Sequence, residues 1–250
     1  MFKFEKKHIL IILISGAALR IAVYALMPPT LYPDSYKYMA QAEMFHRFDL
    51  SGYSGLAPGY SLVIAAFGGN IQALTLFQAG IGLVTSLLLY FIFGLLSGSS
   101  RIGLAGALVY ALSPFQAVFE RDVLTESLTT FLTALTVYHL IRIHSGQDRP
   151  HNWLFMGLSA SLAAALRPVM QFLPPLAALL AVLAYYMQNR KKSLSNAAWR
   201  TVLAVLPAVI IIGGWSAFNY HRFNYFSLTI LTGFHLTNHS GAFMEKAPPE

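Results

Sequence analysis

The chain contains no cysteine and carries few charged side chains for its length. Only 11% of its 250 residues are Asp, Glu, Lys or Arg, while 56% are hydrophobic. The lack of cysteine excludes a disulfide framework, a thiol nucleophile and a cysteine-based metal site. The shortage of charge excludes a soluble domain, which needs more polar side chains to cover its surface. The composition therefore predicts an integral membrane protein.

Seven apolar segments recur along the chain, and most are long enough to cross a hydrocarbon core of about 30 Å as helices. The predicted spans are His8–Met27, Ile71–Leu96, Ile102–Phe119, Val123–Ile143, Trp153–Leu166, Pro168–Met187 and Trp199–Tyr220. The first is interpreted as an uncleaved span, because it exceeds the hydrophobic region of a signal peptide, about 7 to 15 residues. Prolines inside the last two spans predict kinks. The fold predicted is an all-α membrane bundle of about seven transmembrane helices, a single module over residues 1–250.

The charged residues are distributed unevenly between alternate loops. If the N-terminus is cytoplasmic, ten of the 17 Lys and Arg residues fall inside, and eight of the ten Asp and Glu residues fall outside. This arrangement satisfies the positive-inside rule. The basic residues thus set orientation, and nucleic-acid binding is not expected. We expect a multi-pass protein of a bacterial inner membrane, with any acidic active site on the non-cytoplasmic face.

The longest stretch outside the membrane covers residues 28–70, between the first two spans. Within it, residues 34–48 carry apolar side chains at helical spacing, which predicts an amphipathic juxtamembrane helix. The apolar run 56–67 is too short to span and predicts a re-entrant or interfacial helix. Asp34 precedes the first of these helices, so it is either a helix N-cap or a general base at the membrane boundary. Its neighbours Tyr32, Ser35 and Tyr38 are candidate supporting residues.

A second acidic group lies at the predicted junction of the third and fourth spans. Glu120, Asp122 and Glu126 surround Arg121 within seven residues. Such charges are costly at a membrane boundary unless they are paired or solvated. Arg121 either pairs with a neighbouring acid or binds a phosphate group. Glu126 is expected one turn inside the fourth helix, where a carboxylate is a functional candidate.

Two further arginines and one histidine complete the candidates. Arg167 either clamps a phosphate or extends to the lipid headgroups, and Arg20, inside the first span, either reaches outward or binds a lipid phosphate. Residues 221–250 begin an outer C-terminal segment, and the alternating polar and aromatic side chains of residues 219–226 and 233–241 are typical both of sugar sites and of aromatic belts. Within it, His235 and His239 favour a surface pair over metal ligands, because flanking glycines disfavour a helix. No metal site is predicted.

Four sequence stretches together resemble the GT-C fold glycosyltransferases, in particular bacterial relatives of the protein O-mannosyltransferases of glycosyltransferase family 39 and the aminoarabinose transferase of lipid A. The stretches are residues 32–38, 57–62, 121–128 and 215–241. The resemblance implies inverting transfer of a sugar from a polyprenyl-phosphate donor to a lipid, protein or glycan acceptor, in contact with membrane lipids. It implies that Asp34 is the base, that Glu126 is a second acid, and that Arg121 and Arg167 hold the donor phosphate.

Two departures from that family bear on the interpretation. Many relatives carry a second acid directly after the first-loop Asp, whereas this chain has Ser35, which disfavours a divalent cation. Relatives also continue beyond the point where this sequence ends, which leaves open a fragment, a second subunit or a missing C-terminal domain. A transporter or flippase, or a non-catalytic subunit, remains the alternative. Transporters place ionisable groups near the bilayer midplane, whereas here the acids gather at one edge.

Overall fold

The computed structural model describes residues 3–53, 55–188 and 194–231. In these ranges the regular elements are helices, and the β-structure is a single bridge between Thr30 and Asp122. The helices are α1 Lys6–Leu26, α2 Pro33–His46, α3 Gly59–Ala66, α4 Ile71–Ser97, α5 Ser100–Ala111, α6 Pro114–Phe119, α7 Glu126–His144, α8 Pro150–Leu166, α9 Leu173–Gln188, α10 Leu194–Ala208 and α11 Gly214–Phe223. The all-α fold is therefore confirmed.

Four stretches of helix are long and apolar enough to cross a membrane. They are Lys6–Leu26, Ile71–Ser97, Pro168–Gln188 and Leu194–Phe223. The last two include irregular turns at the predicted kinks, a 3-10 turn at Pro168–Phe172 and a π-turn at Val209–Gly213 just after Pro207. The protein is thus an all-α membrane protein whose other predicted spans are shorter or less apolar helices.

The third predicted span is broken in the structure, so a continuous helix over residues 102–119 is wrong. Helix α5 has 12 residues, a length of about 18 Å, too short for a hydrocarbon core. A new helix, α6, begins directly afterwards. Ser113 Oγ accepts a hydrogen bond from the backbone amide of Gln116, and Pro114 occupies the first helical position. A hydroxyl cap followed by proline is a standard helix start.

Small residues allow the central helices to approach closely. Helix α7 packs against α8, and α8 against α10. A Cβ atom on Gly157 would clash with the backbone of Ala204, so only glycine permits this crossing of α8 and α10. Trp153 and Tyr185 are buried beside several alanines in the same layer. Packing of small residues is the usual basis of helix association in lipid.

The loop between α1 and α4 folds back onto the bundle through two short helices. Helix α2 matches the predicted amphipathic helix, and α3, of eight residues, lies within the predicted re-entrant run. The two are joined by an edge-to-face contact of Tyr38 and Tyr60, with ring centres 5.3 Å apart. One detail is wrong: Phe48, expected on the apolar face of α2, is 97% exposed, because α2 ends at His46 and Phe48 adopts a left-handed backbone.

The bundle has two chemically different ends. We call the end formed by residues 27–36, 120–126 and 166–167 the acidic end, since Asp34, Glu120, Asp122 and Glu126 lie there. The opposite end, which we call the basic end, carries Lys6 and Lys7 at the start of α1, Arg101 at the start of α5 and Arg142 near the end of α7. There Ser100 donates a hydrogen bond to Glu5 at 2.7 Å. Helices α4 and α7 both run from the acidic to the basic end, since Phe91 and Tyr138 meet near their C-termini.

Candidate functional site at the acidic end

The backbone joins the first loop to the segment between α6 and α7. The amide of Thr30 donates to the carbonyl of Arg121 at 3.1 Å, and the amide of Val123 donates to the carbonyl of Thr30 at 3.0 Å. These bonds form the single parallel bridge of the described chain. They place the two acidic groups of the sequence, which are about 90 residues apart, side by side. The fold therefore holds these two segments of the chain together.

Side chains of Tyr32 and Ser35 continue the same connection. Ser35 Oγ accepts a hydrogen bond from the amide of Tyr32 at 2.9 Å and donates to the carbonyl of Val123 at 2.7 Å. The hydroxyl of Tyr32 donates to Oδ2 of Asp122 at 3.5 Å. Ser35 is buried and occupies the position at which many relatives carry a second acid. Its hydroxyl links the start of α2 to residues 120–126, which we call the acidic segment.

A buried glutamine supports the acidic segment from below. Gln78 Nε2 donates to the carbonyls of Glu120 at 3.0 Å and Asp122 at 2.9 Å. Its Oε1 accepts from the hydroxyl of Tyr60 at 2.7 Å. Both Gln78 and Tyr60 are fully buried. Sequence reasoning missed this pair, although a glutamine within the apolar run of α4 was a visible signal, since a buried amide needs partners.

Arg121 is buried and faces α1. Its Nε and Nη2 donate to the carbonyl of Met27 at 3.1 and 2.8 Å, and Nη1 donates to Thr75 Oγ1 at 2.8 Å. The guanidinium lies 3.9 Å from the centre of the Tyr24 ring. The expected pairing of Arg121 with a neighbouring acid is therefore wrong, because a helix-end carbonyl takes its place. Binding of donor phosphate by Arg121 stays a prediction that these contacts do not favour.

Arg20 forms a buried ion pair with Glu120. Nη2 of Arg20 lies 2.6 Å from Oε1 of Glu120, and its Nη1 donates to the carbonyls of Gly16 and Ala111. Both side chains are at most 5% exposed. Both earlier expectations for Arg20, an outward extension and a lipid phosphate, are thus wrong. A protein carboxylate neutralises the guanidinium within the bundle.

Glu126 and Arg167 form the second ion pair of the acidic end. Arg167 Nη1 lies 2.9 Å from Oε1 of Glu126, and their side chains are 44% and 32% exposed. Helix α7 begins at Glu126, so the expectation that this residue lies one turn inside the helix is wrong. Arg167 caps the end of α8 and is held between α8 and α9. The pair is therefore open to exchange with an incoming anion.

Asp34 lies in the first turn of α2 and is exposed. Lys37 Nζ lies 2.8 Å from its Oδ1. One turn further along, Tyr38 is half-buried, and burial raises the pKa of its phenol. The carboxylates of Asp34 and Glu126 raise this pKa further, while Arg167 lowers it. The phenol of Tyr38 is thus influenced by charges both on α2 and at the Glu126–Arg167 pair.

An apolar groove of about 640 Å³ begins beside the Glu126–Arg167 pair. Leu166, which directly precedes Arg167, and Leu128, two residues after Glu126, both line it. Its other walls come from α3, α4, α8 and the π-turn, including Leu62, Phe77 and Phe131. The groove is therefore lined by hydrocarbon, and it adjoins the ion pair through Leu166, the residue before Arg167.

Asp122 is a second buried carboxylate of the acidic end, besides Glu120. It is 1% exposed, and its Oδ1 has no hydrogen-bond partner among the described residues. Burial raises the pKa of this carboxyl above its ordinary value, although a hydrogen bond from Tyr32 opposes the shift. Among residues 3–53, 55–188 and 194–231, no three His, Asp or Glu side chains are grouped to hold a metal ion. His235 and His239 lie outside the described residues.

Residues 60–215 match the protein family described as dolichyl-phosphate-mannose-protein mannosyltransferase. The match covers more than half of the 250 residues. It includes Arg121, Glu126 and Arg167 and begins after Asp34. No curated protein and no solved structure matched the chain.

Proposed function

The chain belongs to the dolichyl-phosphate-mannose-protein mannosyltransferase family, and on this basis we propose that it transfers a sugar with inversion at its acidic end. Membership makes it a membrane glycosyltransferase that uses polyprenyl-phosphate sugar donors. The proposal adds the residues, with Arg167 and Glu126 at the donor phosphate and Asp34 as the general base. The observation that carries it is the Glu126–Arg167 pair, whose chain neighbour Leu166 lines the apolar groove.

The groove suits the lipid part of such a donor. An isoprenoid chain has no hydrogen-bonding group, so it requires walls of hydrocarbon. The walls at Leu62, Phe77, Leu128 and Phe131 meet this need. The phosphate that heads the chain would then lie past Leu166, next to Arg167, whose planar fork of donors suits phosphate oxygens. Lipid and phosphate thus fit one continuous site.

Binding of the donor exchanges one anion for another at Arg167. Glu126 holds this guanidinium at 2.9 Å in the structure, and an ion pair that is partly exposed is weak, about 0 to 1 kcal/mol. The phosphodiester of the donor carries the same single negative charge as this carboxylate, and its two non-bridging oxygens take the place of the carboxylate oxygens at the guanidinium. Glu126 is then released beside the sugar, where its carboxylate can accept hydrogen bonds from sugar hydroxyls.

The transfer step requires a base and a stabilised leaving group. The acceptor oxygen attacks the anomeric carbon opposite the phosphate, a new C–O bond forms, and the anomeric C–O bond to phosphate breaks. The bonding electrons leave with the phosphate, where Arg167 stabilises the developing charge. Asp34 takes the proton of the acceptor hydroxyl. Asp34 is exposed and bonded only to an exposed lysine, Lys37, among the contacts described, so an acceptor can reach it.

The side of the membrane follows from the distribution of charge. The topology predicted from the sequence puts ten of the 17 Lys and Arg residues on the side opposite Asp34, and segments rich in these residues remain in the cytoplasm. We therefore assign the acidic end to the non-cytoplasmic face. Acceptors there are lipids, proteins or glycans outside the cytoplasm.

The test uses purified protein with radiolabelled polyprenyl-phosphate sugars and a membrane lipid extract. We expect label to leave the carrier and appear on an acceptor. In the Asp34→Asn variant the label should stay on the carrier. The Glu43→Gln variant is its matched control, because Glu43 is an exposed, ion-paired acid of the same helix as Asp34. Label that stays on the carrier in all reactions, together with uptake of the lipid-linked sugar into sealed proteoliposomes, contradicts the proposal and favours a flippase.

A further inference from the structure

Helix α3 presents two faces to different parts of the molecule. One face, with the residues that flank it, lines the apolar groove through Pro58, Gly59, Leu62, Val63, Ala66 and Phe67. On the other face Tyr60, Ser61 and Ile64 are buried in the bundle. A helix turns by about 100° per residue, which places these two sets on different sides. A lipid in the groove would therefore contact one side of α3 while the other side packs against the protein.

The buried face of α3 is hydrogen-bonded to the acidic segment through one side chain of α4. The hydroxyl of Tyr60 donates to Oε1 of Gln78 at 2.7 Å. Nε2 of Gln78 donates in turn to the carbonyls of Glu120 and Asp122 at 3.0 and 2.9 Å. Tyr60 and Gln78 are both fully buried, so bulk water does not compete for these bonds. The main chain of the acidic segment, which ends at Glu126, therefore follows the position of Tyr60.

The same short helix touches the other two segments that carry proposed reacting groups. The rings of Tyr60 and Tyr38 meet edge to face with centres 5.3 Å apart, and Tyr38 lies one turn after Asp34 on α2. At the start of α3, a Cβ atom on Gly59 would lie 2.6 Å from a main-chain oxygen in the last turn of α8. This close approach places α3 against the end of α8, directly before Arg167. Helix α3 is therefore linked to each segment that holds a reacting group.

The two faces of α3 connect lipid binding to the reaction centre. A substrate accelerates its own reaction when contacts remote from the reacting atoms hold the catalytic groups in position. We propose that Tyr60 and Gln78 are positioning residues, through which a lipid that fills the apolar groove fixes the reacting groups by way of α3. The inference rests on the proposed function, because it takes the donor lipid to occupy this groove. It adds the route by which occupancy of the groove changes the rate.

The consequence is a turnover rate that depends on the length of the donor lipid. Phe67 lies about 12 Å along α3 from Gly59, at 1.5 Å per residue, so a short lipid that begins beside Arg167 does not reach it. The groove face of α3 then lacks lipid contacts, and α3 holds the acidic segment less closely. A groove that only binds lipid predicts a change in KM, since uniform binding leaves kcat unaffected. A change in kcat with lipid length is therefore specific to the coupling through α3.

The test measures kcat and KM for donors that carry the same sugar on geranyl, farnesyl or undecaprenyl phosphate. For the wild-type protein we expect kcat to rise from the shortest to the longest donor on the order of tenfold, the effect of one buried hydrogen bond. Tyr60→Phe keeps the ring but deletes the hydroxyl, and Gln78→Leu deletes the amide that binds the two carbonyls. Each variant should lower kcat for the undecaprenyl donor to near the geranyl value and leave the ratio of the KM values as in wild type. Because both side chains belong to one hydrogen-bonded chain, the double variant should be no slower than the slower single variant.

Ser61→Ala is the matched control for the loss of a buried hydrogen bond. Ser61 is the next residue of α3, is equally buried, and donates to Oε1 of Gln41 at 3.1 Å. Gln41 donates to the carbonyl of Leu56, which lies outside the acidic segment. The variant thus loses one hydrogen bond of the same helix and should keep the wild-type dependence of kcat on lipid length.

Three outcomes overturn the proposal. They are a wild-type kcat that is the same for all three donors, an unchanged length dependence in Tyr60→Phe, and an equal loss of the dependence in Ser61→Ala. The wild-type comparison uses no variant, so it can refute the coupling even if a variant fails to fold. Transfer with a kcat independent of lipid length would refute this inference and leave the proposed function standing. Absence of transfer from every donor would refute both.

Discussion

Arg20 and Glu120 meet inside the bundle although 100 residues separate them in the chain. The pair is accommodated by Gly82, where an added Cβ would lie 1.8 Å from Oε1 of Glu120. Oε2 of Glu120 and Nε of Arg20 have no partner among the described residues. The ion pair thus joins α1 to Glu120, the first residue of the acidic segment 120–126, at the cost of two unsatisfied polar atoms.

Removing one member of this pair should destabilise the protein strongly. In Glu120→Ala the guanidinium of Arg20 stays buried without its counter-charge, and such losses cost about 3 to 5 kcal/mol. Unfolding in detergent micelles measures the change. The double variant Arg20→Met with Glu120→Leu should recover most of the stability, because apolar residues of similar volume replace a buried pair well. Equal stability of Glu120→Ala and wild type would show that the pair does not hold α1 in place.

Asp34→Asn should abolish glycosyl transfer while the protein still inserts and binds donor. General base catalysis is worth on the order of 10² to 10⁴ in rate, and asparagine keeps the size of the side chain but accepts no proton. The turnover rate at saturating donor is the measurement. Glu43→Gln, which breaks the exposed ion pair with Arg47 on the same helix, should leave the rate within a factor of about two, as expected for surface pairs. Retained activity in Asp34→Asn would contradict the assigned base.

Arg167→Ala should lower the ratio kcat/KM for the lipid-linked donor on the order of 10²-fold, the usual loss of a group that stabilises transition-state charge. Arg167→Lys should recover part of this loss, since it keeps the charge but not the planar fork. Arg47→Ala is the control, because this arginine is exposed and paired with a glutamate in the same way. A similar loss in the Arg47 variant would indicate a general effect of charge.

Glu126→Gln should affect donor binding in the opposite direction. Glu126 competes with phosphate for Arg167, so its neutralisation should tighten binding of a polyprenyl phosphate by up to about fivefold, the value of an exposed ion pair. Transfer should slow at the same time, because the variant has lost a carboxylate beside the sugar. Separate measurement of affinity and turnover distinguishes the two effects. Weaker binding in this variant would contradict exchange at Arg167.

Asp122→Asn should stabilise the protein at neutral pH and have little effect in acid. Burial raises the pKa of Asp122 above its ordinary value of 3.8, so the folded state holds a proton that the unfolded state has released. This carboxyl therefore costs stability as pH rises from about 3.8 through the raised value, and the cost persists above it. Unfolding free energies of wild type and variant at pH 4 and pH 8 test this. A pH-independent difference would contradict it.

The helices could be predicted where chain length and apolar content decide the structure. The bounds of α2 and α4 agree closely with the predicted segments, because a surface amphipathic pattern and a long apolar run each have one simple solution. The break after α5 was missed, although Ser113-Pro114 is a readable start signal. The break was missed because the residues on both sides of Ser113-Pro114 are apolar, so the hydropathy alone indicates one continuous span.

The partners of the charged residues could not be predicted. Sequence reasoning placed Glu126 and Arg167 at one membrane boundary, and the structure pairs them. It placed Arg121 near acids of its own segment, whereas the guanidinium reaches back to the carbonyl of Met27. Orphan carbonyls at helix ends compete with carboxylates for arginine, and only the packing of α1 decides the outcome. The pair of Arg20 and Glu120 could not be predicted for the same reason, because it forms only when α1 packs beside the end of α6.

The link between the first loop and the acidic segment is made by main-chain atoms at Thr30 and Val123. Replacing either side chain leaves these donors and acceptors in position, so the link tolerates wide variation in amino-acid identity. Proline is the exception, because it lacks the amide hydrogen that each of these two positions donates. A residue inserted between Met27 and Thr30 would likewise shift every later donor out of register. The spacing of this short segment is therefore under stricter constraint than its composition.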